Sequence, residues 1–338
     1  VSRLHGLRAL LPAWARPTNP VLRYIIQRER RRQNATVRLI GLVLALATVG
    51  GVFLLSYELY RNDQLTALTR NGESGLYTVL YVPLLMLQFS VVMSGSSLAL
   101  SLGLTSPMTP VEQRRETWEM VKVTPYGAEL SVRSRWAGVY YFVAWMLGVL
   151  TLLRAVLIGQ MLADLLHSES YDLAAYTTGI TPGVPSWASA LVLALFMLAA
   201  LLQPVIMLGL NAALSLFLST SIRSALLLRV VLGVVSLVEL AVFMAAVTAG
   251  ILALEVDPMM SHITLSPLQR WLSLLSFALV GDQSLRFLNL RSFTDTWARL
   301  DYGIGLGVAI PLVLLLEFLI AVGLVKLAGR RAARATRE

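Results

Sequence analysis

Six stretches of this chain are apolar and long enough to cross a bilayer, and that restricts its fold more than any other feature. A hydrocarbon core about 30 Å thick is spanned by roughly 20 helical residues. Lipid offers no hydrogen-bond partners, so a spanning segment must satisfy its own backbone, and these stretches read as helices. They cover about Val37–Tyr60, Leu76–Leu104, Ala137–Leu166, Trp187–Leu218, Ala225–Leu254 and Ile304–Leu327. Several exceed the minimum, which predicts tilt or protrusion beyond the membrane. Pro83, Pro204 and Pro311 lie inside spans, where proline is expected to kink a helix. Composition agrees: of 338 residues, 57% are hydrophobic and only 14% charged, against about 25% charged in a soluble domain. Mean hydropathy is +0.70. The expected fold is an all-α polytopic membrane protein with six transmembrane helices. One domain, 37–328, lies between a basic amphipathic N-terminal segment, 1–36, and a basic tail, 329–338.

Arginines set the orientation. The N-terminal cluster (Arg28, Arg30, Arg31, Arg32, Arg38), the loop after the second span (Arg114, Arg115, Lys122, Arg133, Arg135), the turn at Arg223 and Arg229, and the tail "KLAGRRAARATRE" all fall on one side. The opposite loop from His167 to Ser186 has no Lys or Arg. Cationic loops stay cytoplasmic, so both termini and the 105–136 loop are expected in the cytoplasm of a plasma (inner) membrane protein. Residues 1–35 lack the continuous apolar core of a cleavable signal peptide. Within them "HGLRALLPAWARP" reads either as a short interfacial helix or as a mobile basic tail. The outer loop 255–303 turns apolar at "WLSLLSFALVG", Trp271 to Gly281, which is too short to cross and fits an interfacial or re-entrant helix.

The polar stretch between the second and third spans is built as a helix. In "TPVEQRRETWEMVKVTP", Thr109 caps, Pro110 takes the first helical position, and Glu112 completes a capping box. Glu112 with Arg115, Arg115 with Glu119, and Glu119 with Lys122 stand three or four apart and can pair, at about 0.2–0.5 kcal/mol each. Val111, Trp118 and Val121 share a face. Thr124 before Pro125 stops the helix. From these residues alone, the segment 110–123 is either a docking surface for a partner or a solvated connector anchored in headgroups by Trp118.

This pattern resembles the coupling-helix region of the type-two ABC exporter permeases, the six-span membrane subunits of ABC transporters. In that family an acidic residue precedes a T-x-E element, then apolar residues, a T/S-P pair and a polar lead into the next span. The matching residues here are Glu112, Thr117-Trp118-Glu119 and Thr124-Pro125, within "RRETWE" and "TP". Lys122 replaces the usual aliphatic residue, and Gly127 follows the Thr-Pro pair. "NPVLRYIIQRERRR", Asn19 to Arg32, is similar to the family's amphipathic segment before the first span, and the apolar element before the last span also fits. The resemblance implies that Glu112, Arg115, Glu116, Thr117, Trp118, Glu119, Thr124 and Pro125 contact a separate ATP-binding cassette subunit. It also implies a second permease copy or paralogue. ATP and Mg would bind the partner, since this chain has no G-x-x-x-x-G-K-[ST] loop and no Gly-Lys pair. No cofactor or metal is expected on this chain, and it is not expected to be an enzyme by itself. The substrate stays open, and a permease-derived, non-transporting structural subunit is the alternative.

Intramembrane polar residues are the other candidates. Arg154, Glu239 and Glu317 cost roughly 2.5–3.5 kcal/mol each when lipid-facing on insertion scales. They read either as a polar patch on a substrate path or as a structural ion pair of Arg154 with Glu239 or Glu317. Gln203 and Asn211, eight apart, suit interhelical hydrogen bonding. The small residues Ser94 to Ser97 suit close packing of the second span. The three histidines, His5, His167 and His262, lie outside the spans, and H-E-x-x-H and G-x-S-x-G are absent. Metal-dependent or serine hydrolysis and haem ligation are thereby disfavoured. The basic residues follow topology, which disfavours nucleic acid as a partner. With no cysteine in the chain, thiol chemistry is excluded.

Overall fold

A computed structural model describes residues 12–32, 127–167, 185–222, 224–254, 266–279 and 303–334. The first two expected spans and the 110–123 helix lie outside these residues. Among the described residues there is no strand. After a short 3-10 turn at Ala13–Ala15 come α1 (Pro20–Arg32), α2 (Gly127–His167), α3 (Ser186–Ser221), α4 (Ala225–Leu254), α5 (Pro267–Leu279) and α6 (Gly303–Arg334). Among the described residues three helices are long and apolar enough to cross a membrane: Ala190–Ser221 within α3, Leu226–Gly250 within α4 and Gly305–Arg334 within α6. A fourth candidate is the bent pair Glu129–Ala144 and Leu147–Val156 within α2. The described residues are helical throughout their regular elements, and these apolar helices make the chain a membrane-embedded protein.

Start signals in the sequence explain where several helices begin. Asn19 precedes Pro20, and its Oδ1 accepts from the Val21 N–H at 3.0 Å, so an asparagine cap and a first-turn proline open α1. Ser224 Oγ accepts from the Leu227 N–H at the head of α4. At α5, Ser266 and Gln269 form a reciprocal capping box: Gln269 N–H donates to Ser266 Oγ at 3.3 Å and Ser266 N–H to Gln269 Oε1 at 2.9 Å. The helix therefore starts at Pro267, four residues before the apolar run that hydropathy picks out at Trp271.

The core joins α2, α3 and α6. Val139, Val143 and Leu150 of α2 meet Phe196, Ala200 and Leu208 of α3 and Leu306, Ile310 and Leu314 of α6, all fully or nearly fully buried. Farther along, Val132, Ala213, Ala321, Val325 and Ala328 make a second cluster of small side chains that lets the helices approach closely. Glu129 beside Gly329, and Arg331 against Phe217 and Ser221, bring the start of α2 and the ends of α3 and α6 to one basic end. Hence α3 and α6 run parallel and α2 antiparallel to both. α3 is the central helix, with 44% of its apolar window buried, against 13% for α4. The bare faces of α4 and α6, including Leu237, Val238, Leu316 and Leu319, are exposed apolar surface, which suits lipid or another membrane helix.

Besides the start of α5, two boundaries and the position of the bend differ from the hydropathy reading. α2 begins ten residues before Ala137, because Glu129, Arg133 and Arg135 continue the helix past the apolar boundary; Glu129 and Arg133 pair at 2.5 Å one turn apart. The tail expected from 329 continues α6 to Arg334, and its Arg/Ala composition favours helix. Finally, α3 and α6 pass through Pro204 and Pro311 as continuous helices. The large bend, 60°, falls instead between Ala144 and Leu147 of α2, which has no proline.

Candidate functional site

The described polar residues at membrane depth converge on α3, and proline chemistry explains one of them. Pro204 has no N–H, so the helical bond that would reach back to the Ala200 carbonyl cannot form. Arg154 of α2, fully buried, points its Nη1 at that carbonyl and donates to it. The guanidinium takes the place of the missing backbone donor. This satisfies the carbonyl in a medium where an orphaned acceptor is expensive.

Two more donors from α2 follow the same helix. Tyr140 Oη donates to the Val205 carbonyl at 3.1 Å, and Trp136 Nε1 donates to the Gly209 carbonyl at 2.9 Å. The rings of Trp136 and Tyr140 meet edge to face with centroids 5.8 Å apart. Only glycine allows this at position 209: a Cβ there would lie 2.1 Å from Tyr140 Oη. Together, Arg154, Tyr140 and Trp136 tie α2 to α3 at three places between Ala200 and Gly209.

Gln203 works on the opposite partner. Fully buried near the middle of α3, it donates through Nε2 to the Ala278 carbonyl at 2.8 Å and also to that of Leu279. These are the last carbonyls of α5, which have no acceptor role left within their own helix. α5 is tethered at its other end by Arg270 Nε, which donates to the Ala253 carbonyl at 3.3 Å, itself one of the last of α4. Between these points the Phe277 ring packs where a Cβ on Gly250 would be, 2.2 Å away. α5 therefore runs back along α4 and ends level with Gln203, about 25 Å from either end of α3.

The remaining intramembrane candidates are all half-buried. Asn211 is half-buried, two turns nearer the basic end than the last residue of α5. Glu317 is half-buried and shares the inward side of α6 with Ile310, Leu314 and Ala321. Glu239 is half-buried on α4, whose main packing is with α5. Arg154 donates to the Ala200 backbone carbonyl, a partner that the suggested ion pair with Glu239 or Glu317 did not include. The coupling candidates Glu112, Arg115, Glu116, Thr117, Trp118, Glu119, Thr124 and Pro125 lie outside the described residues.

Near the basic end, the N-terminal segment is docked on α2. Asn19 Nδ2 donates to Ser134 Oγ at 3.1 Å and to the Trp14 carbonyl at 3.2 Å, and Tyr141 Oη donates to the Ala15 carbonyl at 2.7 Å. Leu22 and Ala15 are buried against Ala137, and the Trp14 and Trp136 rings stack with centroids 5.9 Å apart. Thus "PAWARPTNPVL", 12–22, is packed on α2, while residues 5–11 of the stretch read as an interfacial helix or a basic tail lie outside the described residues.

Between α2, α3 and α6 an apolar groove of about 430 Å³ opens sideways. Trp136 and Tyr140 form its floor, and Leu198, Leu202, Leu315 and Phe318 are exposed at its rim. Among the described residues no group of three or more His, Cys, Asp or Glu is placed to hold a metal ion. No protein family, curated protein or solved structure matches the chain.

Proposed function

We infer that the chain is the membrane-spanning permease subunit of an ABC transporter of the six-span exporter type. It would work with a separate ATP-binding cassette subunit and a second permease copy or paralogue, in a plasma (inner) membrane with both termini cytoplasmic. In this reading 110–123 is the coupling helix, α5 is the re-entrant helix before the last span, and Val37–Tyr60 and Leu76–Leu104 complete the six.

One observation carries the reading: the amphipathic N-terminal segment is clamped to the root of α2, which begins four residues after the polar stretch 110–123 in the sequence. A push delivered at Gly127 would meet a rigid body. Trp136 and Tyr140 lock α2 to α3, Glu129 abuts α6 at Gly329, and Asn19 and Tyr141 hold α1. Closure of two ATPase subunits could then move α2, α3 and α6 together, a rigid-body transition at an interface. Glu112, Arg115, Glu116, Trp118 and Glu119 would supply register, with Trp118 as the anchor.

The alternative, a permease-derived structural subunit, draws support from a different observation. Arg154 and Gln203 place polar atoms on helix backbone, and the groove is apolar, so the polar residues act here as interhelical fasteners. A native pull-down separates the two. Stoichiometric recovery of a protein with a phosphate-binding loop supports transport; recovery of other membrane subunits alone supports scaffolding. In the reconstituted complex, Glu116→Lys with Glu119→Lys is expected to uncouple ATP hydrolysis from transport while membrane insertion is unchanged. Intact coupling in that double variant refutes the permease assignment.

A further inference from the structure

The groove between α2, α3 and α6 has a chemistry that selects its occupant. Its floor presents the rings of Trp136 and Tyr140, whose polar atoms are committed to the carbonyls of Gly209 and Val205. An apolar cavity of this kind holds no water, which needs two to four polar partners. Leu315 at 53% exposure and Phe318 at 45% leave the rim open along helices of membrane length. From Pro311 to Ala321 the lined part of α6 is about 15 Å long.

From Leu315 at the rim, the exposed edge of α6 bordering the groove continues into positive charge, turning gradually away from the groove floor. Leu315, Val322, Lys326 and Arg330 follow one another at helical spacings of seven, four and four, so they rise along one edge of the helix. All four are exposed. Lys326 stands eight residues past Phe318, about 12 Å nearer the basic end. A single molecule therefore meets hydrocarbon first and two cations at one headgroup's distance beyond.

From this juxtaposition we propose that the groove and its basic lip form a binding site for an anionic phospholipid. One acyl chain lies over Trp136 and Tyr140, and the phosphate sits at Lys326 and Arg330. Charge complementarity at the lip distinguishes this occupant from a second apolar helix, which would leave both cations unmatched. The site stands independently of the transport reading, since it needs only the membrane and these three helices.

The chain has no cysteine, so Leu315→Cys carries a single fluorescent label at the rim and Val238→Cys one on the exposed face of α4. The full chain is reconstituted in phosphatidylcholine vesicles with increasing mole fractions of brominated phosphatidylglycerol or brominated phosphatidylcholine. At position 315, quenching by the anionic lipid is expected to saturate at a mole fraction roughly fivefold lower or less, given the contribution of each basic side chain near an anionic headgroup. At position 238 the two lipids should quench alike. Lys326→Gln with Arg330→Gln should remove the difference at 315 and leave quenching by phosphatidylcholine intact. Equal quenching by the two lipids at 315, a preference that survives the double Gln variant, or exclusion of both lipids by a second copy or another helix would each overturn the proposal.

Discussion

The contact between Arg154 and the carbonyl left over by Pro204 makes a prediction that neither residue makes alone. Arg154→Met removes the donor and leaves the Ala200 carbonyl unpaired inside the protein. An unsatisfied buried acceptor costs about 1–3 kcal/mol. Interhelical hydrogen bonds measured in membranes are weaker, averaging about 0.6 and reaching about 1.7 kcal/mol. This one is fully buried and has an ionised donor, so it belongs near the top of that range. Pro204→Ala restores an N–H four residues after Ala200, and the carbonyl then has a helical donor of its own. In that background Arg154→Met should cost less, by about 1–2 kcal/mol. The four chains of the cycle are to be compared by reversible unfolding in mixed micelles, followed by far-ultraviolet circular dichroism. Independent sites add to within about 0.5 kcal/mol. If the two substitutions add to within that margin, Arg154 is not standing in for the missing N–H.

Two further substitutions test the packing around this point. Gly209→Ala places a Cβ 2.1 Å from Tyr140 Oη; the ring must shift, its bond to Val205 is lost, and stability should fall by about 1–3 kcal/mol, read as a lower thermal midpoint. Gly233→Ala, where nothing lies within 4 Å, is the control and should be neutral or mildly stabilising. Asn19→Ala removes a helix cap worth about 1 kcal/mol together with the tie to Ser134. Hydrogen exchange should accelerate across 20–32 while α3 and α6 keep their protection; unchanged exchange in α1 would show that Asn19 does not hold the segment in place.

Much of the helical content could be read directly from the chain. α3, α4 and α6 match long apolar runs because a helix in lipid satisfies its backbone locally, so length and composition suffice to find it. Helix starts are equally local. The "SPLQ" box that opens α5 follows the same rule as "TPVE" at 109–112 and was available to the same reading, yet hydropathy alone drew attention four residues late. The proline at 204 also announces an orphaned carbonyl at 200, a signal present in the sequence though it does not say who answers.

Who answers was decided by tertiary structure. Arg154 reaches Ala200 across 46 residues and Gln203 reaches Ala278 across 75. Hydropathy counts side chains, and the partners in both cases are backbone carbonyls that every residue carries. That is why composition points to carboxylate partners for Arg154, at Glu239 or Glu317, and is silent about the Ala200 carbonyl. Gly209 shows the same division: its lack of a side chain is plain in the sequence, but only the crossing of α2 over α3 gives it a ring to accommodate. Local hydrogen bonding thus determined that these segments are helices and roughly where they start. Which faces meet, which side chain answers an orphaned carbonyl and where an acyl-sized groove remains follow from how those finished helices pack, because each contact joins groups that are far apart along the chain.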